Sequence, residues 1–378
     1  MATVKLMKRM TAIALACLLV LSAGCQLVRP GGRCRGSGFG ERGEMVFQCR
    51  GRRWTPFATK AQVVGLFVYL LRNGAPAPGE VVRPTAFGQP TFEGGADNSV
   101  YVEGATNYVF STKTFLRVPV RTLTDIDTPA PANDRFGFGQ TTEAMPAAVP
   151  WAAHDEVWAP SVGKLGGRYV MFFATFRLNP PDPSNDQCVG RAFADSPAGP
   201  YEAETQPFIC GYDGIHGALD PGLYVAPDGS ATLHVAFGGS PDNIWGIPLD
   251  GGGNMAAAPV KMLSRHQPWE DWFLENPSMI FDGTDYVLAY SAGHWNTPGY
   301  TTGIARCKTP TGPCSSSPNG PWLSSIGDRV GPGGLSFFMG TDGQARVIFH
   351  TFPASNVSPT SRGAHVARVA FDPWPRLF

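Results

Sequence analysis

From about residue 90 onward the chain repeats one short pattern. The stretches "DNSVYVEGATNYVFSTKT", "APSVGKLGGRYVMFFAT", "DPGLYVAPDGSATLHVAFG", "NPSMIFDGTDYVLAYSAG" and "GGLSFFMGTDGQARVIFHTF" each hold an apolar strand, a Gly-containing turn and a second apolar strand rich in aromatics. Each is the signature of a β-hairpin. The hairpins begin near Asp97, Ala159, Asp220, Asn276 and Gly333, about 62, 61, 56 and 57 residues apart, which leaves room for two further strands per unit. A four-stranded sheet cannot bury both faces alone, and stacking such sheets radially around a channel solves the problem. The predicted fold is therefore all-β, a five-bladed β-propeller, with a short N-terminal disulfide-linked and helical extension. WD40 units are shorter and carry a Trp-Asp signature absent here, and a sandwich would not explain the regular spacing.

Composition agrees. A chain of 378 residues, 43% hydrophobic and 16% charged, can bury a large core. Its 46 Gly and 35 Pro are scattered without a fixed triplet, as many tight turns between short strands require. The 30 basic residues balance the 30 acidic ones and form no Lys/Arg run, which argues against nucleic acid as a partner.

The amino terminus, "MATVKLMKRMTAIALACLLVLSAGC", has basic Lys5, Lys8 and Arg9, then a short apolar run, then small residues before Cys25. It reads as a bacterial export signal over residues 1–24. "LSAGC" resembles a lipobox with Cys25 as the lipidated residue, although Ser22 stands where an aliphatic residue is more usual; the rival is ordinary cleavage near Ala23. The expected location is extracytoplasmic, as a cell-envelope lipoprotein or a secreted protein, with the membrane as a partner through the lipid anchor. Of eight Cys, Cys17 leaves with the signal and Cys25 takes lipid, leaving six for disulfides in an oxidising compartment. Sequence neighbours suggest Cys34 with Cys49, Cys188 with Cys210 and Cys307 with Cys314. A zinc site is the weaker reading, because no CxxC pair is present. Residues 25–89 form the extension: a basic Gly-rich stretch, an expected helix in "ATKAQVVGLFVYLLRNG" closed by Asn73-Gly74, and a stiff linker. The propeller spans 90–378.

Residues in equivalent phase at the start of each inner strand lie at the same end of the channel. Asp97, Asp220 and Glu275 are expected in that phase, which aims three carboxylates at one pocket. Mutual repulsion and partial desolvation would push their pKa values apart. Glycosidic hydrolysis needs that arrangement: one carboxylate as base, one carboxyl as acid. Singly, each acid has a plainer reading as a turn cap, since Asp-Pro and Glu-Asn-Pro often serve that purpose. Glu270 in "PWEDWF" lies outside the repeat phase and is read as a decoy.

The motifs "ADNSVYVEGATNYVFST", "EVWAPSVGKLGGRYVMFFA", "GALDPGLYVAPDGSATLHVAFG" and "WFLENPSMIFDGTDYVLAYSAG" resemble the successive blades of glycoside hydrolase family 43, over about residues 91–352. The resemblance implies an inverting glycosidase with Asp97 as general base, Glu275 as general acid, and Asp220 orienting that acid and holding its pKa up. It implies a polysaccharide or oligosaccharide substrate of the pentose class; moderate loops that lean towards an open cleft and an anchor beside the cell envelope favour arabinofuranosyl linkages in arabinan or an arabinogalactan-type polymer over xylan. Where many arabinanases carry Gly-His opening the fifth blade, "GPGGLS" places Gly334, so no cofactor is required and a structural calcium ion is disfavoured. Trp158, Trp295 and His216 are candidate sugar contacts, because sugar C–H faces stack on aromatics. His350 resembles a later family histidine, against the plainer reading of a packed core residue. Trp245, Trp322 and Trp374 are expected to pack between blades. Two readings of another class stay open: a silent carbohydrate-binding propeller and an envelope scaffold.

Overall fold

The computed structural model describes residues 27–35, 39–42, 45–50, 52–59, 81–136, 138–181, 186–238, 243–371 and 374–377. The chain divides into two compact units: Met1–Val82 with Asp342–Gln344 and Arg368–Phe378, and Arg83–Thr341 with Ala345–Ala367.

The second unit is a five-bladed β-propeller of antiparallel sheets. The first blade consists of Ser99–Glu103, Thr106–Phe110, Pro119–Leu123 and Thr141–Glu143, and the second of Trp158–Leu165, Arg168–Phe176, Gln187–Ala194 and Glu202–Ala203. The third blade is Ala218–Val225, Ala231–Phe237, Asn243–Leu249 and Val260–Ser264; the fourth is Leu274–Phe281, Tyr286–Ala292, Thr301–Cys307 and Cys314–Ser316. The fifth brings Arg329–Met339, Ala345–Pro353 and the part of strand Gly363–Phe371 up to Ala367, and Phe92–Glu93 pairs with Gly363–Ala364, so a strand from the start of the unit joins its last blade.

The core lies between blades rather than within one sheet. Val120 and Phe110 of the first blade pack with Met171 and Phe173 of the second, and Val170 and Phe172 on the second pack with Val235 and Phe237 of the third. In the second to fifth blades the second strand is therefore buried on both faces. All of Ala231–Phe237 is buried, which explains why it is apolar apart from Thr232 and His234. Outermost strands such as Glu202–Ala203 and Cys314–Ser316 are short, which limits the open edge each blade leaves. Trp245 packs between the second and third blades and Trp322 is buried; Trp374, also buried, belongs to the first unit rather than to the propeller.

At the axis, one residue near the start of every inner strand adopts a left-handed backbone: Asp97, Ala159, Asp220, Asn276 and Gly334, with φ between 43° and 58°. Two residues on later inner strands then oppose one on the partner strand. Leu219 pairs with Ala236 and Gly222 with His234, and likewise Glu275 with Ser291 and Ser278 with Ala289. Such a bulge redirects the side chain it carries. Two positions after the left-handed residue, serine ties neighbouring blades. Ser99 Oγ donates to Pro160 O at 2.5 Å, while Ser161 and Ser278 Oγ accept from Leu223 N and Phe337 N at 2.9 Å. The third blade has Gly222 there, because a Cβ would sit 1.8 Å from Pro277 O.

In the first unit, Phe39–Arg42, Met45–Arg50 and Arg53–Thr59 form an antiparallel meander over a small core of Val28, Phe47 and Trp54 with the Cys34–Cys49 disulfide. Ala58 and Thr59, expected to open a helix, end a strand; the rest of that expected helix, and the signal with Cys17 and Cys25, lie outside the described residues. The propeller carries the other two expected disulfides, Cys188–Cys210 and Cys307–Cys314. Three disulfides suit an oxidising compartment.

Candidate active site

The blades' inner strands deliver Asp97, Asp220 and Glu275 to one cleft of about 820 Å³, which Trp158, Phe176, Trp295, Tyr300 and Arg362 also line. The sequence expectation needs one correction. Asp97 and Asp220 occupy the left-handed axial position, but its counterpart in the fourth blade is Asn276, and Glu275 stands one residue earlier. The reason is the bulge. It turns Asn276 towards the axis and leaves Glu275 on the regular ladder opposite Ser291, at the position Leu219 holds in the third blade.

Asp97 Oδ2 accepts a 2.8 Å hydrogen bond from the Thr112 hydroxyl and lies 3.4 Å from Arg362 Nη1. Thr112 Oγ1 in turn accepts from Ala159 N at 2.9 Å, which locks the first two blades together beside the carboxylate. Arg362 is held over the ring of Trp295 at 4.9 Å and over Phe352 at 5.5 Å. Beneath Asp97 sits His350, fully buried, whose Nδ1 accepts from the Asp97 backbone N–H at 3.4 Å. Burial pushes this imidazole well below the ordinary histidine range, with Arg362 adding to the effect, so it is neutral.

Glu275 is buried and accepts a 2.7 Å hydrogen bond from Tyr300. Burial raises its carboxyl to about 7; the Tyr300 bond opposes the rise, and the charge of Asp97 adds to it. Asp220 is walled in by the axis and driven well above the carboxylate range by burial first, then by Glu275 and Asp97. It accepts from Asn276 N at 3.3 Å, a hold on the residue after Glu275. The rise at Glu275 comes from burial and Asp97, whereas the contact of Asp220 is with its backbone neighbour. Tyr300 stacks on His350 with ring centroids 6.1 Å apart, and a Cβ at Gly333 would lie 2.0 Å from its ring. Only glycine lets Tyr300 reach Glu275.

Of the other sequence candidates, Trp158 and Trp295 line the cleft. His216 is exposed on the Ile215–His216 strand of a two-stranded hairpin and is not among the lining residues; His350 lies under the floor. Glu270 is buried outside the cleft, where it accepts from Tyr290 Oη, His266 N and Gln267 N. Sequence reasoning missed Tyr300, Arg362 and Thr112. A signal existed for the first two. The first and third strands of a blade run the same way, so residues opening a third strand share the cleft end, and Tyr300 and Arg362 each directly precede one.

The fifth axial position does not suit a metal. A Cβ at Gly334 would lie 2.6 Å from His350 Nδ1 and 2.7 Å from Asp97 Oδ1, so no ligating side chain fits there. Among the described residues no group of three His, Cys, Asp or Glu is placed to hold an ion.

A propeller whose axial cleft gathers an acid with a raised pKa and a second carboxylate defines a glycoside-hydrolase-type site. The chain belongs to glycosyl hydrolases family 43, whose family profile matches residues 87–375. It is 28% identical over 213 residues to arabinan endo-1,5-alpha-L-arabinosidase A of Aspergillus niger, a match covering 51% of this chain and 63% of that protein. It is 26% identical over 234 residues to extracellular endo-alpha-(1->5)-L-arabinanase 2 of Bacillus subtilis (strain 168), covering 56% of this chain and 46% of that protein. The match thus spans less than two thirds of either relative. Its fold is similar to that of a thermostable family-43 glycoside hydrolase, with TM-score 0.63 at 20% identity, covering 75% of this chain and 92% of that one.

Proposed function

We propose that this protein is an exported inverting glycosidase that cleaves arabinofuranosyl linkages in arabinan or a related polymer. The observation that carries the reading is the pairing, in one cleft, of Glu275 with its carboxyl raised to about 7 and Asp97 tethered by Thr112 and Arg362. In the proposed reaction, Asp97 takes a proton from a water that attacks the anomeric carbon. The glycosidic C–O bond breaks as Glu275 gives its proton to the leaving oxygen. Water has then been added across the bond with inversion, and no covalent enzyme intermediate forms. Asp220, through the backbone of Asn276, positions Glu275. Trp158 and Trp295 offer stacking faces for the sugar. Arabinan is preferred to xylan because the sequence relatives reported above are named as arabinanases.

The test is incubation with aryl arabinofuranosides, linear arabinan and xylan, with NMR of the first-released anomer. Release of arabinose or arabino-oligosaccharides with inverted configuration is expected. Action on xylo-oligosaccharides alone would move the substrate to xylan, and no hydrolysis at all would leave a carbohydrate-binding propeller. Lipid on Cys25 is part of the same reading; Cys25→Ser should release the protein from the membrane fraction, and continued sedimentation with membranes would refute the anchor.

A further inference from the structure

Trp272, just before the fourth inner strand, is about half exposed and has φ +63°, a left-handed backbone that bulky side chains avoid. Such a conformation persists where the surroundings impose it. Here they do. Glu270 clamps the preceding loop by accepting from His266 N, Gln267 N and Tyr290 Oη, Phe273 N donates to Asp271 O at 2.9 Å, and Gly293 N donates to Phe273 O at 3.3 Å. The Trp272 ring is backed by His294, centroids 4.4 Å apart, and the next residue, Trp295, lines the cleft. Trp272 lies at the start of an inner strand, at the cleft end of the propeller, yet outside the lining set. The half-exposed indole is thus fixed against His294, whose chain neighbour Trp295 already lines the cleft.

We propose that Trp272, backed by His294, is a sugar-stacking platform that continues the cleft outward and gives the enzyme a preference for long polysaccharide chains over short glycosides. It rests on the glycosidase reading. A sugar several units from the scissile bond lays its C–H face on the indole, and the contact reaches the reaction only when the chain is long enough to span both.

The test compares kcat/KM on linear arabinan, xylan and an aryl arabinofuranoside. The readout is the ratio of polymer to short substrate, on whichever polymer the wild type hydrolyses. Trp272→Ala should lower that ratio about tenfold, the equivalent of one stacking contact, and Trp272→Tyr should hold it within about threefold, since a phenol also offers a stacking face. In a Glu275→Gln background, affinity electrophoresis through arabinan should show less retardation once Trp272→Ala is added. Trp272→Gly, whose backbone takes positive φ freely, should keep the wild-type melting temperature while losing the preference. An unchanged ratio in Trp272→Ala overturns the platform. So does a Trp272→Gly protein that melts well below the wild type, which would mark the ring as packing. Wild-type action on the short glycoside but on no polymer also overturns it, whereas failure on every substrate breaks the glycosidase reading itself.

Discussion

Two buried glutamates lie five residues apart in the fourth blade and meet different fates. Glu270 and Glu275 each accept a short hydrogen bond from a tyrosine, Tyr290 at 2.6 Å and Tyr300 at 2.7 Å. Glu270 also accepts two backbone N–H groups, so both of its carboxyl oxygens are met by donors. Glu275 lacks such backbone donors, and burial first, then the charge of Asp97, raise its carboxyl to about 7, which leaves it with a proton to give near neutral pH. The two buried carboxyls differ in their surroundings: backbone donors converge on Glu270, whereas Glu275 has a tyrosine hydroxyl and a second carboxylate, Asp97, near it.

The largest expected effect separates the two by activity. Glu275→Gln should lower kcat on arabinan by about 10² to 10⁴-fold, the usual weight of general-acid assistance, and Asp97→Asn should do the same. Glu270→Gln should leave turnover per folded molecule within a few-fold. Comparable losses at both glutamates would dissolve the contrast.

Stability should divide them the other way. Glu270→Ala orphans Tyr290 Oη and two backbone N–H groups, and urea melts should show a loss of about 3 kcal/mol or more. Glu275 has its folded pKa raised to about 7 from 4.5. The folded state therefore holds that proton more tightly than the unfolded chain, and the associated stability is complete below pH 4.5 and lost as pH rises through 7. Glu275→Gln should gain stability over the wild type at pH 8 relative to pH 5, by at most roughly 3 kcal/mol. Equal differences at the two pH values would contradict the buried-acid assignment.

The pH–rate profile sharpens the comparison further. The alkaline limb of kcat/KM should fall near pH 7, where Glu275 loses its proton, and should vanish from the residual activity of Glu275→Gln. A limb unmoved by that substitution would assign it to another group. The smallest effect is at Tyr300. Its hydrogen bond favours the ionised form of Glu275, so Tyr300→Phe should shift the alkaline limb upward with only a modest rate change. A downward shift would mean that the hydroxyl stabilises the acid form instead.

Much of the site is legible in the sequence. Asp97 and Asp220 stand out because each opens an inner strand of a repeat, and Trp158 because it opens another; all three reach the cleft. Glu275 stands out for a partly mistaken reason, since the shared phase belongs to Asn276. His216 resembles a candidate by its place beside "GALDP", but its strand belongs to a small side hairpin. Tyr300 and Arg362 carry only the weak signal of directly preceding a third strand, and Thr112 carries none; the value of all three arises from what they touch.

Residue alternation and turn chemistry are local, acting over a few neighbours, so the sequence by itself determined the five hairpins, their spacing and hence the propeller. Sequence proximity suggested three cysteine pairs, but only the tertiary structure fixed their connectivity. Only the tertiary structure decided which acid became the proton donor, because that depends on burial and on groups from other parts of the fold. Arg362 comes from the fifth blade, Thr112 from the first, and Tyr300 needs a glycine at 333 on the fifth to reach its place. The one-residue bulge that sets Glu275 beside the axis rather than on it is likewise a product of inner strands crowding a common channel, a constraint no single repeat encodes.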